Sequence, residues 1–234
     1  MKKLNQILAE GVYDPGIFKA FFLAGGPGSG KTFVTQTAFA GTGLKVVNSD
    51  SVFERGLKKA NLSLKMPDEE EYFRNIIRQR AKSTTGTILD TYVEGRLGLV
   101  IDATGRDKNI IQRQHAMLTN IGYDCYMIFV NTSLDVALKR NQNRPRSIPD
   151  YIVTNSWNGV QQNIGQFQRI FSPNKMLVVD NNSSEKELVT QTLKTAAKFI
   201  RGRLRTKPEN GIAMSWIKKE LELKKRWDLK SLQI

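Results

Sequence analysis

One stretch of this chain has the residue types and the spacing of a loop that binds phosphate. Residues 25–32 read Gly-Gly-Pro-Gly-Ser-Gly-Lys-Thr and fit the pattern G-x-x-x-x-G-K-[ST]. The four glycines carry no side chains, so successive backbone N–H groups and the first turn of the next helix can point at one polyphosphate. The predicted cradle comprises Gly26, Pro27, Gly28, Ser29, Gly30, Lys31 and Thr32.

Two side chains at the end of this loop are predicted to act on the bound phosphates. Lys31 can reach the β- and γ-phosphates, and the Thr32 hydroxyl can ligate Mg²⁺, which keeps several waters as further ligands. An apolar run before the loop (18–24) and a stretch without Pro or Gly after it (Phe33 to Ala40) give the order strand, loop, helix that this chemistry requires.

Two aspartates follow predicted strands and are candidates for the chemistry on the phosphate. Asp50 comes after the apolar stretch 44–47, and Asp102 ends the stretch that begins at 97. Because ligands of open parallel sheets bind at the carboxyl ends of the strands, both should converge with the glycine loop. Asp102 is suited to hold Mg²⁺ through water, and Asp50 to orient a substrate hydroxyl and take its proton. Either aspartate alone is equally typical of a helix cap or a turn.

An arginine-rich segment near residues 140–150 is predicted to close over the phosphates as a lid. Cationic groups beside the transferring phosphate can raise the rate by about 10³–10⁵, and a lid excludes water. The candidates are Arg140, Arg144 and Arg146, of which at least one is expected to be an ordinary charge at a helix end. Arg106 is a candidate contact to substrate or phosphate. Three arginines on a predicted long helix either grip an acceptor or form a solvated face: Arg74, Arg78 and Arg80.

The elements that must position these residues alternate along the chain. Strands are predicted at about 18–24, 44–47, 97–101, 123–130 and 176–179, and helices at 1–10, 33–40, 51–60, 68–80, 107–120, 133–143, 150–163 and 184–204. The helix at 68–80 is expected to resume as far as 94 after a Ser/Thr/Gly interruption at 83–87. Such alternation demands right-handed crossovers and a parallel sheet covered on both faces, a three-layer α/β fold.

The division of the chain follows from one linker-like stretch at 206–211. We predict a phosphate-binding domain over 1–205 and a basic helical extension over 206–234. One side of the extension is expected to be apolar, formed by Ala213, Trp216, Ile217, Leu221 and Trp227.

Charge and composition indicate the class of partner. The net charge is +14, from 36 Lys and Arg against 22 Asp and Glu, which favours anionic partners such as nucleotides, nucleic acid or other phosphates. Half of this excess lies in residues 198–234, which are either a polyanion-binding surface or a solvated tail. No run is apolar enough for a membrane span, and the polar start lacks a signal-like segment, so we expect a cytoplasmic protein. The single cysteine (Cys125) and the single histidine (His115) argue against an internal disulfide, a zinc site and a Ser-His triad.

These motifs together resemble the small P-loop kinases of the zeta-toxin and polynucleotide-kinase group, over roughly residues 18–200. The matching segments are the glycine loop, Asn48-Ser49-Asp50, 101–106, 122–133, 137–141 and Arg144. The resemblance implies a five-stranded sheet of order 2-3-1-4-5, ATP as donor, a hydroxyl as acceptor, Asp50 as general base and an arginine-bearing lid. In overall style the chain also resembles proteins of tailed phages, for which the site of action would be the host cytoplasm.

The acceptor implied by the resemblance stays open between two kinds of molecule. Zeta toxins phosphorylate a nucleotide sugar, and polynucleotide kinases a nucleic-acid 5′-hydroxyl. Where polynucleotide kinases tend to carry a second acidic residue, this chain has Ser51, and it has no second, phosphatase-like domain. We predict an ATP- and Mg²⁺-dependent kinase acting on a nucleic acid or a nucleotide, with hydroxymethylated DNA bases or a nucleotide sugar as alternatives.

The glycine loop also occurs in two other classes of protein, GTPases and nucleic-acid-binding ATPases. A GTPase would need N-K-x-D after a late strand, but Asn174-Lys175-Met176-Leu177 has leucine in place of the aspartate and precedes its strand. A nucleic-acid-binding ATPase that contacts its partner through the basic extension remains an alternative, and the sequence leaves the oligomeric state open.

Overall fold

The sheet that positions the site has five parallel strands. The computed structural model describes residues 11–144, 147–183 and 185–231. The order is β2-β3-β1-β4-β5, and the predicted fold class and order are confirmed. The strands are β1 (Lys19–Ala24), β2 (Lys45–Val47), β3 (Leu99–Asp102), β4 (Asp124–Asn131) and β5 (Met176–Asp180).

Helices connect the strands and cover both faces of the sheet. They are α1 (Lys31–Ala38), α2 (Ser49–Lys59), α3 (Glu71–Glu94), α4 (Lys108–Asn120), α5 (Leu134–Gln142), α6 (Asp150–Phe171), α7 (Lys186–Leu204) and α8 (Gly211–Ser231). The helix predicted at 1–10, Arg146 and the side chain of Trp227 lie outside the described part of the chain. No helix within that part is long and apolar enough to cross a lipid bilayer.

Alternate residues of the central strand enter two separate cores. Ala20 and Phe22 of β1 pack with residues of α4, α6 and α8, whereas Phe21 and Leu23 pack with residues of α1 and α7. All four are fully buried. A strand that is apolar on both faces is what a central parallel strand requires, because helices cover both of its sides.

The interruption predicted within the third helix is wrong, because α3 runs without a break through residues 83–87. Three threonines of this region donate their hydroxyls to the carbonyl oxygen four residues earlier: Thr85 to Ala81, Thr87 to Ser83 and Thr91 to Thr87. Ser and Thr disfavour helices when their side chains compete for backbone groups outside helical geometry. Here the hydroxyls are satisfied within the helix, and buried Ala81 and Leu89 hold it against the rest of the fold.

Helix α6 also runs further than the predicted end at residue 163. The additional turns bury Phe167 and Phe171, whose rings contact Phe129 and Phe22. Gly165 costs about 1 kcal/mol relative to alanine within a helix, which the burial of two aromatic side chains outweighs.

A buried ion pair fastens the segment before α8 to the sheet. The Lys19 ammonium lies 2.9 Å from the Asp124 carboxylate, with the two side chains 0% and 3% exposed. Lys19 also donates to the carbonyl of Lys207, and Asp124 accepts the N–H of Glu209. Beyond this point, Ala213 of α8 is fully buried in the core that contains Phe22. The basic C-terminal helix is therefore packed on the same core as the strands.

Candidate functional site

The glycine loop joins β1 to α1, and glycines within it adopt left-handed backbone conformations. Gly28 and Gly30 have φ values of +77° and +93°, which side-chain-bearing residues rarely adopt, and Gly30 caps α1. The Lys31 ammonium folds back over the loop and donates to the carbonyl oxygens of Gly25 at 2.6 Å and Gly26 at 3.2 Å. A cation beside a glycine loop at the N-terminus of a helix is suited to bind a polyphosphate.

Close packing around the loop explains why it needs glycines. A Cβ on Gly28 would lie 2.9 Å from the Cα of Ala137 in α5, and closer still to the carbonyl oxygen of Ala137. The hydroxyl of Ser29 is buried and has no hydrogen-bond partner in the described part of the chain. Since a buried polar atom without a partner is costly, this hydroxyl offers a group that a bound phosphate would satisfy.

The predicted carboxylates lie at the same edge of the sheet as the loop. In the strand register Leu23 of β1 is paired with Asp102 of β3, and the residue after β2 is Asn48. The Asn48 amide donates to Asp102 at 2.6 Å, while its oxygen accepts the N–H of Asp50 and caps α2. One asparagine thus fixes Asp102 and Asp50 relative to each other.

Electrostatics link these groups to Lys31. Burial lowers the pKa of Lys31, and the charges of Asp102 and Asp50 oppose that shift while Arg144 adds to it. Burial raises the pKa of Asp102, against the attraction of Lys31 and with the repulsion of Asp50. The charges of Asp50, Asp102 and Arg144 therefore all act on Lys31, although the roles of these residues remain predictions.

Arg140 is held beside the loop by the end of β5. Its guanidinium donates to the carbonyl oxygens of Asn181 at 2.8 Å and Ser183 at 3.4 Å, and burial lowers its pKa. The Asn181 amide in turn donates to the carbonyl of Ser29 at 2.7 Å and lies against Gly30. Asn181 is 7% exposed and joins the phosphate loop, α5 and β5.

Sequence reasoning assigned no role to two residues of this neighbourhood, Asn181 and Trp157. The position of Asn181 directly after a strand is a signal that could have found it. Trp157 of α6 packs over Gly26 and donates its indole N–H to the carbonyl of Thr132 at 2.7 Å. No local pattern marks Trp157, because its contacts come from segments far apart in the chain.

Arg106 lies to one side of the loop. Its side chain is exposed and runs along Gly159 of α6, and the Asn163 amide donates to the carbonyls of Gly105 and Arg106. Two residues before it, the carbonyl of Thr104 accepts the N–H of Gly25 at 3.1 Å. The loop that carries Arg106 is therefore attached directly to the phosphate loop.

The donor set fits Mg²⁺ held partly by a nucleotide. The described residues contain no group of three or more His, Cys, Asp or Glu side chains that would hold a metal by themselves. The hydroxyl of Thr32 and the carboxylate of Asp102 are oxygen ligands, and Mg²⁺ commonly takes only one or two protein ligands beside phosphates and waters. These residues would hold the ion once a polyphosphate is bound.

Comparison with known sequences decides the family. The profile of a family described as AAA domain matches residues 21–166, more than half of the chain. The chain belongs to this AAA domain family. The match runs from β1 into α6 and includes the glycine loop. It also includes Asp50, Asp102, Arg140 of α5 and Arg144, which follows α5. No curated protein sequence matches this AAA domain protein.

Solved structures share the fold at low sequence identity. A crystal structure described as a putative kinase from Chloroflexus aurantiacus J-10-fl is 17% identical with a TM-score of 0.53, over 80% of this chain and all of that one. Two structures of AvrRxo1-ORF1 with AvrRxo1-ORF2, one with sulphate ions and one with ATP, are 14% identical with TM-scores of 0.52 and 0.50. In both cases the match covers 84% of the present chain and 79% of the chain in the solved structure. These likenesses concern the fold.

Proposed function

We propose that this AAA domain protein is an ATP- and Mg²⁺-dependent kinase that transfers the γ-phosphoryl group to a hydroxyl. The observation that carries the proposal is that Asn48 donates to the Asp102 carboxylate and accepts the N–H of Asp50, at the sheet edge where Lys31 folds back over the glycine loop. A loop alone would suit any nucleotide-binding protein. Asp50 adds a second carboxylate beside Asp102, and this group can accept a proton from an incoming hydroxyl.

Each residue is assigned a part in the transfer. The loop amides and Lys31 bind the β- and γ-phosphates, and Asp50 orients the acceptor hydroxyl. The acceptor oxygen bonds to the γ-phosphorus, the bond from that phosphorus to the β,γ-bridging oxygen breaks, and the hydroxyl proton passes to Asp50. ADP leaves with the electron pair. Mg²⁺, held by Thr32 and Asp102, would neutralise charge on the phosphates.

The arginines complete this assignment. Arg140 lies beside Gly30, and the charge of Arg144 contributes to lowering the pKa of Lys31, which supports a role for both arginines in opposing negative charge on the transferring group. In this proposal Arg106 contacts the acceptor.

The acceptor we favour is a nucleic acid or a nucleotide. The net charge of +14 supports an anionic acceptor, as does the resemblance to polynucleotide kinases. The alternative, a zeta-toxin-like kinase of a nucleotide sugar, rests on the same motifs and shares the anionic character of the acceptor.

Transfer of label from γ-labelled ATP to a panel of oligonucleotides, nucleosides, nucleotides and nucleotide sugars tests the proposal. Asp50→Asn should lower the rate of labelling by about 10²–10⁴ while ATP affinity is retained, because Asp50 acts on the hydroxyl. Lys31→Ala should abolish labelling of every acceptor. Full activity of either variant would refute the assignment.

The same assay separates the kinase from a nucleic-acid-binding ATPase. If wild-type protein hydrolyses ATP and labels no acceptor, and Lys218→Gln/Lys219→Gln at two exposed positions of α8 weakens nucleic-acid binding without changing thermal unfolding, the ATPase is the correct function.

A further inference from the structure

A second polar surface lies beside the phosphate loop, between α3 and α4. It is an open groove of about 880 Å³. Among the described residues that line it, four are cationic (Arg78, Lys82, Arg106 and Lys108) and one is acidic (Asp107).

Asp107, the acidic residue of this set, already serves as a helix cap. The Asp107 carboxylate caps α4 by accepting the N–H of Asn109 at 2.9 Å. The four cations come from three elements: Arg78 and Lys82 are one turn apart on α3, Arg106 precedes α4, and Lys108 begins it. A face of one helix that is merely solvated would not bring charges from separate segments to one concavity.

Both walls of this groove are tied to the candidate catalytic groups. On one wall the Arg78 guanidinium lies 4.0 Å from the ring centre of Phe53, a buried residue of α2 one turn after Asp50. On the other, the carbonyl of Thr104 accepts the N–H of Gly25, the first residue of the phosphate loop. A molecule in the groove would therefore contact segments that are attached to the helix of Asp50 and to the phosphate loop.

From this arrangement we infer that the groove binds a phosphate group of the acceptor, so that the substrate is a hydroxyl compound that already carries phosphate. The inference rests on the proposed kinase function and assigns the residues that hold the phosphate of its acceptor. Lys and Arg side chains form charge-assisted hydrogen bonds with phosphate, and four such side chains line this groove. A mononucleotide and a nucleic-acid backbone both supply such a group.

Paired charge removals test the groove. Lys82→Gln/Lys108→Gln removes two of its cations. Lys45→Gln/Lys194→Gln is the matched control, because both lysines are exposed and neither lines the groove: Lys45 begins β2, and Lys194 lies on α7, which packs on the opposite face of the sheet. Thermal unfolding of both variants checks that they fold. The probes are thymidine 3′-monophosphate, thymidine and an eight-residue oligothymidylate, each assayed for 5′-labelling and, with saturating ADP present, for direct binding.

The expected result is selective for the phosphate. The groove variant should lose about tenfold or more in kcat/KM and in affinity for thymidine 3′-monophosphate, with a much smaller loss for thymidine, and the control should match wild type. If a backbone is the natural ligand, the loss is larger for the oligonucleotide, and the salt slope of log K falls by about 0.7 for each lost contact.

Binding and labelling together separate the two proposals. If wild type labels none of these probes but the groove variant selectively loses binding of the phosphate-bearing ones, the groove is supported and transfer to the 5′-hydroxyl of these acceptors is refuted. Labelling by wild type with equal losses for thymidine and its phosphate, or equal losses in the control variant, overturns the groove. Failure of both phosphate-bearing probes to bind wild type also overturns it.

Discussion

Gly28→Ala is the substitution for which the structure gives the sharpest expectation. Gly28 has φ +77°, and its added Cβ would meet the backbone of Ala137, a fully buried residue of α5. Backbone cannot rotate away as a side chain can, so either the loop or α5 must move. Because α5 also carries Arg140, such a movement would displace the guanidinium that lies beside Gly30 of the loop.

The chain contains a matched control for the backbone conformation. Gly43 has φ +76°, but a Cβ there would meet nothing within 4 Å. A left-handed conformation costs an L-residue about 1–2 kcal/mol, and Gly43→Ala should lower the free energy of unfolding by that amount. Gly28→Ala should add about 1–3 kcal/mol for overpacking, for a total of about 2–5 kcal/mol.

Urea unfolding without nucleotide measures both variants, and titration with ATP gives their affinities. We expect Gly28→Ala to weaken ATP binding at least tenfold and Gly43→Ala to leave it unchanged. If the two variants lower stability equally and bind ATP like wild type, the close contact between the loop and α5 does not fix the phosphate site, and the reasoning fails.

Two further predictions concern buried charge. Asp124→Asn should destabilise the protein by about 3–5 kcal/mol, because it leaves the buried Lys19 ammonium without its counter-ion, and Lys19→Met added to it should restore most of the loss. As a control, Glu54→Gln at the exposed pair with Lys58 should cost under about 0.5 kcal/mol. In urea unfolding, additive losses of stability for Lys19→Met and Asp124→Asn would contradict this account. Burial raises the pKa of Asp102, so protonation of this carboxyl group stabilises the folded state. The stabilisation is complete below the ordinary pKa of about 4 and is lost as the pH rises through the pKa of Asp102 in the folded protein. Asp102→Asn should therefore raise the Tm at pH 8 and change it little at pH 4, and an equal change at both pH values would show that burial of the charge is not the cause.

Patterns that depend on neighbours in sequence were predicted well. The glycine loop, the five strands and the placement of Asp50 and Asp102 after strands all follow from spacing and from runs of apolar residues. Boundaries failed where distant contacts outweigh local preference: α3 passes through its threonines, and α6 continues past Gly165 because Phe167 and Phe171 reach the core.

The sequence by itself determined that a polyphosphate-binding loop sits at one edge of a parallel sheet, because that loop and its strand are contiguous in the chain. Only the tertiary structure decided what surrounds it. Asn181 reaches Ser29 across 152 positions, and Arg78 meets Phe53 from another helix. Such contacts depend on how separate segments pack, and each of these residues alone is compatible with many positions on a fold.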